Sequence, residues 1–236
     1  MTPFEGAGTG PQVRTRLLLA AGVAGPVLFV LMFLVEGATR PGYRVWRNLV
    51  SQLATGDGGW VQIVSFIVCG ALLLAGAAGL RRAQDSPAGA LIVGTIGLGL
   101  AAAGVFVADP GLGYPPGVPL EPEQTLHDLV HEVVSLVVFL AFGFAPLVAG
   151  VSLLRSAPRW SAYSLLSGTM ALAFFAATVY GSMEADRGTP IGILQRISIV
   201  AGLGWVSAYL VRELIRLPEG DAGSTTASTA TPPPGR

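Results

Sequence analysis

The chain has 236 residues, of which 52% are hydrophobic and only 12% are charged, about half the charged share of an ordinary soluble domain. With a mean hydropathy of +0.63, this composition excludes a disordered chain and is typical of a protein that crosses a membrane several times. All 14 basic residues are Arg, the net charge is zero and no basic run occurs, so we expect no nucleic-acid partner. The single cysteine, Cys69, excludes an internal disulfide framework and a zinc cluster built on cysteines.

Six apolar segments are long enough, at about 20 residues, to cross a hydrocarbon core of about 30 Å as helices. In chain order these segments are Leu17–Glu36, Trp60–Leu80, Ala88–Ala108, Leu129–Leu154, Ser161–Met183 and Ile191–Arg212. We therefore predict an all-α, polytopic membrane protein whose six-helix domain covers residues 14–217. The flanking segments 1–13 and 218–236 are rich in Gly, Pro, Thr and Ser, and we expect both to be disordered.

The distribution of arginine predicts the orientation of the six helices. Nine Arg flank the side that holds both termini, and five flank the other side. Because cytoplasmic flanks carry an excess of Arg and Lys, both termini are expected in the cytoplasm. The use of Arg without Lys is typical of a GC-rich bacterial genome, so we expect a bacterial plasma membrane. Three Arg in the first outer connection (Arg40, Arg44 and Arg47) weaken this bias.

The first outer connection also contains an amphipathic pattern over Tyr43–Ala54. One face of this pattern is apolar, with Trp46, Leu49, Val50 and Leu53; the other is polar, with Arg44, Arg47, Asn48 and Ser51. The spacing predicts a short interfacial helix whose arginines hold lipid phosphate groups. Arg40 and Tyr43, which precede it, are further candidates for lipid binding.

The third connection runs from Asp109 to Thr125, and its five prolines and three glycines exclude regular structure. Thr125 is a predicted helix N-cap, with Asp128 as its capping-box partner. Two histidines follow, His127 and His131, on one face of the fourth helix. This spacing can chelate zinc, with Asp109 as the third ligand, or Glu36 in its place. Alternatively, both histidines cap or bond loop backbone, since no complete H-E-x-x-H motif is present.

The fifth connection and the start of the sixth helix add Glu184, Gln195 and Arg196 to the same outer side. Arg196 lies about one turn inside the helix, where an unpaired charge is costly. We expect either a structural ion pair with Glu36 or Glu184, or an anion-binding role in a shared outer pocket that Gln195 also lines.

Four strings in this order carry a family resemblance: RPGYRVWRNLVSQLATGDGGWVQIVSF, GVFVADPGLGYPPGVP, the H-x-x-x-H pair and GILQR. They resemble the bacterial and archaeal membrane proteins catalogued as domain of unknown function 998, over roughly Leu17 to Leu217. The resemblance implies about six helices and no established activity. The motifs of that family correspond here to Arg40, Gly42, Tyr43, Ser51, Trp60, Gln62, Asp109, Pro110, His127, His131, Gln195 and Arg196.

Two functions of different classes remain open, and a third is less favoured. The first is a metal-dependent hydrolase acting on a lipid or amphiphile, in which zinc is held by His127, His131 and Asp109. Ser51 and Arg44 would then contact the substrate, and Glu36 or Glu184 would serve as the base. A looser similarity in residue kinds links this to the alkaline ceramidase and progestin-receptor-like hydrolases.

The second function is a non-enzymatic lipid-binding or membrane-organising protein, in which outer arginines hold phosphate and the histidines are structural. Membrane lipid is the partner expected in both cases. A small-solute transporter is disfavoured because no charged residue lies at mid-depth of any segment.

Overall fold

The computed structural model describes residues 10–83, 87–120, 123–183 and 188–218. These residues form six α-helices: α1 (Pro11–Thr39), α2 (Gly59–Ala83), α3 (Ala88–Val105), α4 (Leu126–Ser152), α5 (Pro158–Met183) and α6 (Ile191–Arg216). Each helix is long and apolar enough to cross a membrane. The predicted all-α, six-helix architecture of a multi-pass membrane protein is thereby confirmed.

The six helices form a closed ring in chain order. Each helix packs against the next, and α6 returns to pack against α1 while also touching α4 and α2. At one end of the ring, Arg16 donates a hydrogen bond to the carbonyl oxygen of Leu217, 3.0 Å away. We call this the terminal end, because both ends of the described chain meet there. The opposite end, which holds the first, third and fifth connections, is the connection end.

Small residues allow neighbouring helices to approach closely, as is common in membrane helices. A Cβ added at Gly22 of α1 would lie only 2.7 Å from the Cα of Gly76 in α2. A Cβ at Gly70 of α2 would lie 2.5 Å from the carbonyl oxygen of Gly97 in α3. The glycine content therefore supports helix packing here rather than breaking helices.

Two sequence predictions about local structure are corrected. The interfacial helix expected over Tyr43–Ala54 is replaced by turns and a five-residue 3-10 helix, Val50–Ala54, whose residues are all buried. The first connection therefore folds into the bundle instead of lying on a membrane surface. In addition, α1 begins at Pro11, inside the predicted tail 1–13, because the fixed φ of proline suits a first helical position. Residues 1–9 and 219–236 lie outside the described residues.

Candidate functional site

A cavity of about 670 Å³ lies at the connection end of the bundle. Its volume is within the usual range for small-molecule sites, about 300–1,000 Å³. It is walled by α4 and α5, by the start of α6, by the 3-10 helix and by the third connection. Its polar lining includes Ser51, His131, Ser135, Thr178 and Gln195, together with three carboxylates, those of Asp109, Asp128 and Glu132.

The cavity exists because α4 and α5 pack tightly only over their half nearer the terminal end. There, a Cβ added at Gly143 would lie 2.1 Å from the side chain of Leu172, so these helices are in close contact. Closer to the connection end, the rings of Phe139 and Phe175 stack with centroids 4.4 Å apart. Both rings line the cavity, and they form its floor. Beyond this stack, the facing sides of α4 and α5 line the cavity instead of meeting.

The cavity is not enclosed, and some of the apolar residues that line it are exposed. Leu136 of α4 and Val179 of α5 both line the cavity, yet they remain 46% and 45% exposed. Met183, at the end of α5, also lines it and is exposed. Exposed apolar side chains of α4 and α5 therefore border part of the cavity.

A second, narrow cavity of about 40 Å³ extends from the first into the centre of the bundle. The two cavities share four polar residues, Ser51, His131, Ser135 and Gln195, which we call the polar ring. The rest of the narrow cavity is lined by apolar side chains such as those of Phe29, Phe66, Leu100, Phe142 and Leu203. The site is thus a polar ring between two apolar spaces.

His131 is held by the end of α3. Its Nδ1 lies 2.8 Å from the carbonyl oxygen of Phe106 and 3.1 Å from that of Ala103, which belong to the last turn of α3, where carbonyls lack helical partners. A carbonyl only accepts hydrogen bonds, so Nδ1 must carry a proton. In the neutral tautomer with this proton, Nε2 would be an acceptor, and Nε2 has no partner among the described residues.

Gln195 of α6 positions the 3-10 helix that carries Ser51. Its Oε1 accepts a 2.7 Å hydrogen bond from the backbone amide of Val50, which satisfies an orphan donor at the start of that helix. The Gln195 amide nitrogen and the Ser51 hydroxyl have no partners within the described part of the chain. Both residues are more than nine-tenths buried as a whole, but neither of these two atoms is fully buried, so each remains accessible from the cavity that it lines.

Arg196 fastens the first connection to α6. Its Nη1 donates to the carbonyl oxygens of Val45 (3.0 Å), Asn48 (3.0 Å) and Gly192 (2.8 Å), and its Nη2 donates to the hydroxyl of Tyr43. The predicted ion pair of Arg196 with Glu36 is not formed, since the carboxylate of Glu36 is engaged by Arg40; the alternative partner, Glu184, lies outside the described residues. Instead, carbonyl dipoles and the rings of Phe33 and Tyr43 stabilise this buried cation.

Tyr43 belongs to the same buried contact, since its hydroxyl donates to the carbonyl oxygen of Leu49 at 2.9 Å. Burial raises the pKa of the Tyr43 phenol above its ordinary value, and the charge of Arg196 offsets only part of that rise. Asn48 and Gln52 continue the network to the third connection, donating to the carbonyl oxygens of Leu112 and Gly111 respectively.

The third connection is fastened to the start of α4 by two carboxylates. Asp109 accepts hydrogen bonds from the backbone amide (2.7 Å) and the hydroxyl (2.9 Å) of Thr125. Thr125 is the N-cap of α4 and accepts from the amide of Asp128, which confirms the predicted cap. Asp128 in turn accepts from the amide of Asp109 at 3.0 Å.

The predicted zinc ligands are not gathered. Asp109 accepts hydrogen bonds from Thr125, and the Nδ1 of His131 is bonded to the end of α3. His127 is exposed, and its ring centroid lies 5.5 Å from that of Phe106. Across the described ranges, no three His, Cys, Asp or Glu side chains are placed to hold a metal ion. The donor set expected from the i, i+4 spacing is therefore not assembled.

The other predicted site residues are dispersed. Glu36 forms an ion pair with Arg40 one turn later in the chain, away from the cavity. Arg44 is exposed and Arg47 half-buried on the first connection, and neither lines the cavity. Glu184 lies outside the described residues. Of the predicted candidates, the cavity brings together Ser51, His131, Asp109 and Gln195.

Several residues that shape the cavity were not among the sequence candidates. Phe139 continues the four-residue spacing of His127, His131 and Ser135, so that face of α4 carried a signal. Phe175 and Thr178 of α5 carried none, because an aromatic and a hydroxyl residue in an apolar helix are indistinguishable from ordinary packing.

The comparisons with known proteins identify a family. The family model described as Protein of unknown function (DUF998) matches residues 23–212. No curated protein and no solved structure matches the chain. Because the family match extends from α1 into α6, the chain belongs to this family of unknown function, as its sequence motifs suggested.

Proposed function

We propose that this membrane protein binds a single amphiphilic molecule in the cavity at its connection end. The head of the amphiphile occupies the polar ring, and its apolar part lies between α4 and α5. One observation carries this proposal: a cavity of about 670 Å³ combines polar side-chain atoms that have no protein partner among the described residues with exposed apolar side chains of α4 and α5. A hydrogen bond from a ligand to such an atom contributes about 0.5–1.5 kcal/mol net.

Phosphate recognition by the outer arginines receives less support. Arg40 is engaged by Glu36, and Arg196 by backbone carbonyls. The exposed Arg44 does not line the cavity. The polar ring of Ser51, His131, Ser135 and Gln195 therefore takes the place of the arginines as the contact for the head of the amphiphile.

The test is the binding of a neutral, single-chain probe, hexadecylglycerol, to the detergent-purified full chain, measured by native mass spectrometry. Ser135→Trp places an indole at the junction of the two cavities and should weaken binding at least about tenfold. Val137→Trp is the matched control, since Val137 is exposed on α4 and does not line the cavity. Equal affinities in both variants, or no binding to the unmodified chain, would refute the proposal.

Hydrolysis of the bound amphiphile is a second candidate, favoured by one observation. Ser51 and His131 line both cavities, and acyl-transfer enzymes use a serine hydroxyl together with a histidine as general base. Water would cleave an ester or amide to a carboxylic acid and an alcohol or amine. Release of fatty acid from hexadecanoylglycerol, abolished in Ser51→Ala, would support this role; binding without release would exclude it for that substrate.

A further inference from the structure

The charged side chains that line the cavity indicate which sign of charge a bound headgroup would carry. Three carboxylates line the cavity: those of Asp109, Asp128 and Glu132. None of the described residues that line it is an arginine. The cavity therefore lies in a region of negative potential, even though the whole chain has a net charge of zero.

Two described arginines of the connection end are engaged elsewhere and do not line the cavity. Arg40 pairs with Glu36 beside α2, and Arg196 is directed into the first connection. Glu132 is exposed, and the partner that the structure gives it is the amide of Gln124, at 2.8 Å. A neutral amide leaves the charge of a carboxylate in place, so Glu132 remains available to a cation.

The polar ring adds acceptors that face the same space. His131 is 6% exposed and presents Nε2, and Ser51 is 9% exposed and presents a hydroxyl; neither atom has a partner among the described residues. An ammonium group carries three donors and no acceptor. It can donate to the Ser51 hydroxyl and to Nε2 of a neutral His131, and the three carboxylates attract its charge, whereas a phosphate or carboxylate head would face repulsion from all three acidic residues. The Gln195 amide nitrogen, which is a donor, receives no hydrogen bond from an ammonium group.

We infer that the amphiphile bound in this cavity has a cationic, amine-type headgroup. This inference rests on the proposed function and specifies its ligand class. The head lies in the polar ring, with Asp109 and Asp128 toward the connection end and Glu132 at the depth of His131 and Ser135 along α4. The chain lies against Leu136, Phe139 and the facing side of α5.

The experiment compares three hexadecyl probes on the full chain in a neutral detergent: hexadecylamine, hexadecylglycerol and hexadecyl phosphate. The amine should bind at least about tenfold more tightly than the phosphate at low salt, and high salt should reduce this ratio. Butylamine, which carries the head without the chain, should bind far more weakly, because burial of the chain supplies apolar affinity. Butylamine affinity equal to that of hexadecylamine would assign the site to a small soluble amine and overturn the inference.

Two matched variants isolate the carboxylates. Glu132→Gln keeps an acceptor for Gln124 and should reduce the preference for the amine about threefold or more. Asp57→Asn removes an exposed charge of the first connection that does not line the cavity, and it should leave the preference unchanged. Asp109 and Asp128 are left intact because they fasten α4.

The outcomes separate this inference from the proposed function. Binding of hexadecylglycerol with equal or tighter binding of the phosphate would overturn the cationic headgroup and retain the amphiphile site. An equal effect of Glu132→Gln and Asp57→Asn would also overturn it, because the preference would then follow overall charge. Failure of all three probes to bind would refute both proposals.

Discussion

A methyl group added at Gly192 directly tests whether the first connection packs against the start of α6. This glycine lies in the first turn of α6, directly beneath the first connection, and its amide donates to the carbonyl oxygen of Trp46 at 3.0 Å. In Gly192→Ala, the added Cβ would lie 2.4 Å from the carbonyl oxygen of Val45 and 2.5 Å from that of Asn48. Both obstacles are backbone atoms, so no side-chain rotation relieves the clash.

The size of the effect follows from these distances. Ordinary contacts of a Cβ begin near 3.4 Å, so the first connection must move by roughly 1 Å. Overpacking of this kind costs about 1–3 kcal/mol, and loss of the hydrogen bond to Trp46 adds about 0.5–1.5 kcal/mol. We expect Gly192→Ala to lower the free energy of unfolding by about 2–4 kcal/mol. The same movement displaces Ser51, so hexadecylglycerol binding should weaken too.

Gly204→Ala supplies the control in the same helix. A Cβ at Gly204 meets nothing within 4 Å, and alanine favours helix over glycine by up to about 1 kcal/mol. Unfolding of both variants by denaturant in detergent, followed by circular dichroism, gives the comparison. If Gly192→Ala were as stable as Gly204→Ala, the first connection would not be seated on α6, and the described position of Ser51 would be refuted.

Two further predictions concern the fastening of the first connection. Arg196→Lys should lower the free energy of unfolding by about 2–4 kcal/mol, because one ammonium group cannot reach the three carbonyl oxygens and the Tyr43 hydroxyl that the two guanidinium nitrogens contact. The control is Arg44→Lys at an exposed position, which should change the free energy of unfolding by less than about 0.5 kcal/mol. Equal effects of the two substitutions would refute the role of Arg196. Because burial raises the pKa of Tyr43 above 10.0, its contribution to stability is complete below about pH 10 and is lost as the pH rises through its folded-state pKa. Unfolding measured between about pH 9 and pH 11 should show an alkaline loss that Tyr43→Phe lacks, and an identical pH dependence in both proteins would contradict it.

The sequence predicted the six-helix architecture because one physical signal dominates each segment. A run of about 20 apolar residues has few alternatives to a spanning helix, and the predicted and observed starts of α3 and α6 coincide at Ala88 and Ile191. The first connection was predicted less well. Its amphipathic spacing predicts a surface helix, whereas in the structure the side chains of Arg196, Gln195 and Asn48 hydrogen-bond its backbone groups in place of helical hydrogen bonds.

The site was predicted in part for a related reason. Spacing of His127 and His131 shows that two imidazoles share a helix face, but it does not show what else lies near that face. In the structure, the Nδ1 of His131 is hydrogen-bonded to the carbonyl oxygen of Phe106 at the end of α3, and Thr125 donates hydrogen bonds to both carboxylate oxygens of Asp109. Backbone groups at helix ends thus bind the side chains that would otherwise be free to coordinate a metal. Such contacts join residues that are far apart in the chain, so the local sequence does not predict them.

The burial of two arginines also bears on the predicted orientation, which no contact in the structure tests. Of the five Arg on the connection side, Arg196 is buried and Arg40 is paired with Glu36. Arginines that are bonded inside the folded chain place little charge at a membrane surface. Among the described residues of the connection end, this leaves Arg44 and Arg47 as the unpaired arginines. At the terminal end, the exposed arginines are Arg14, Arg81, Arg82, Arg155 and Arg159, while Arg216 is exposed but paired with Glu213. The prediction that both termini face the cytoplasm therefore rests on a larger contrast in exposed charge than a plain count of nine Arg against five suggests.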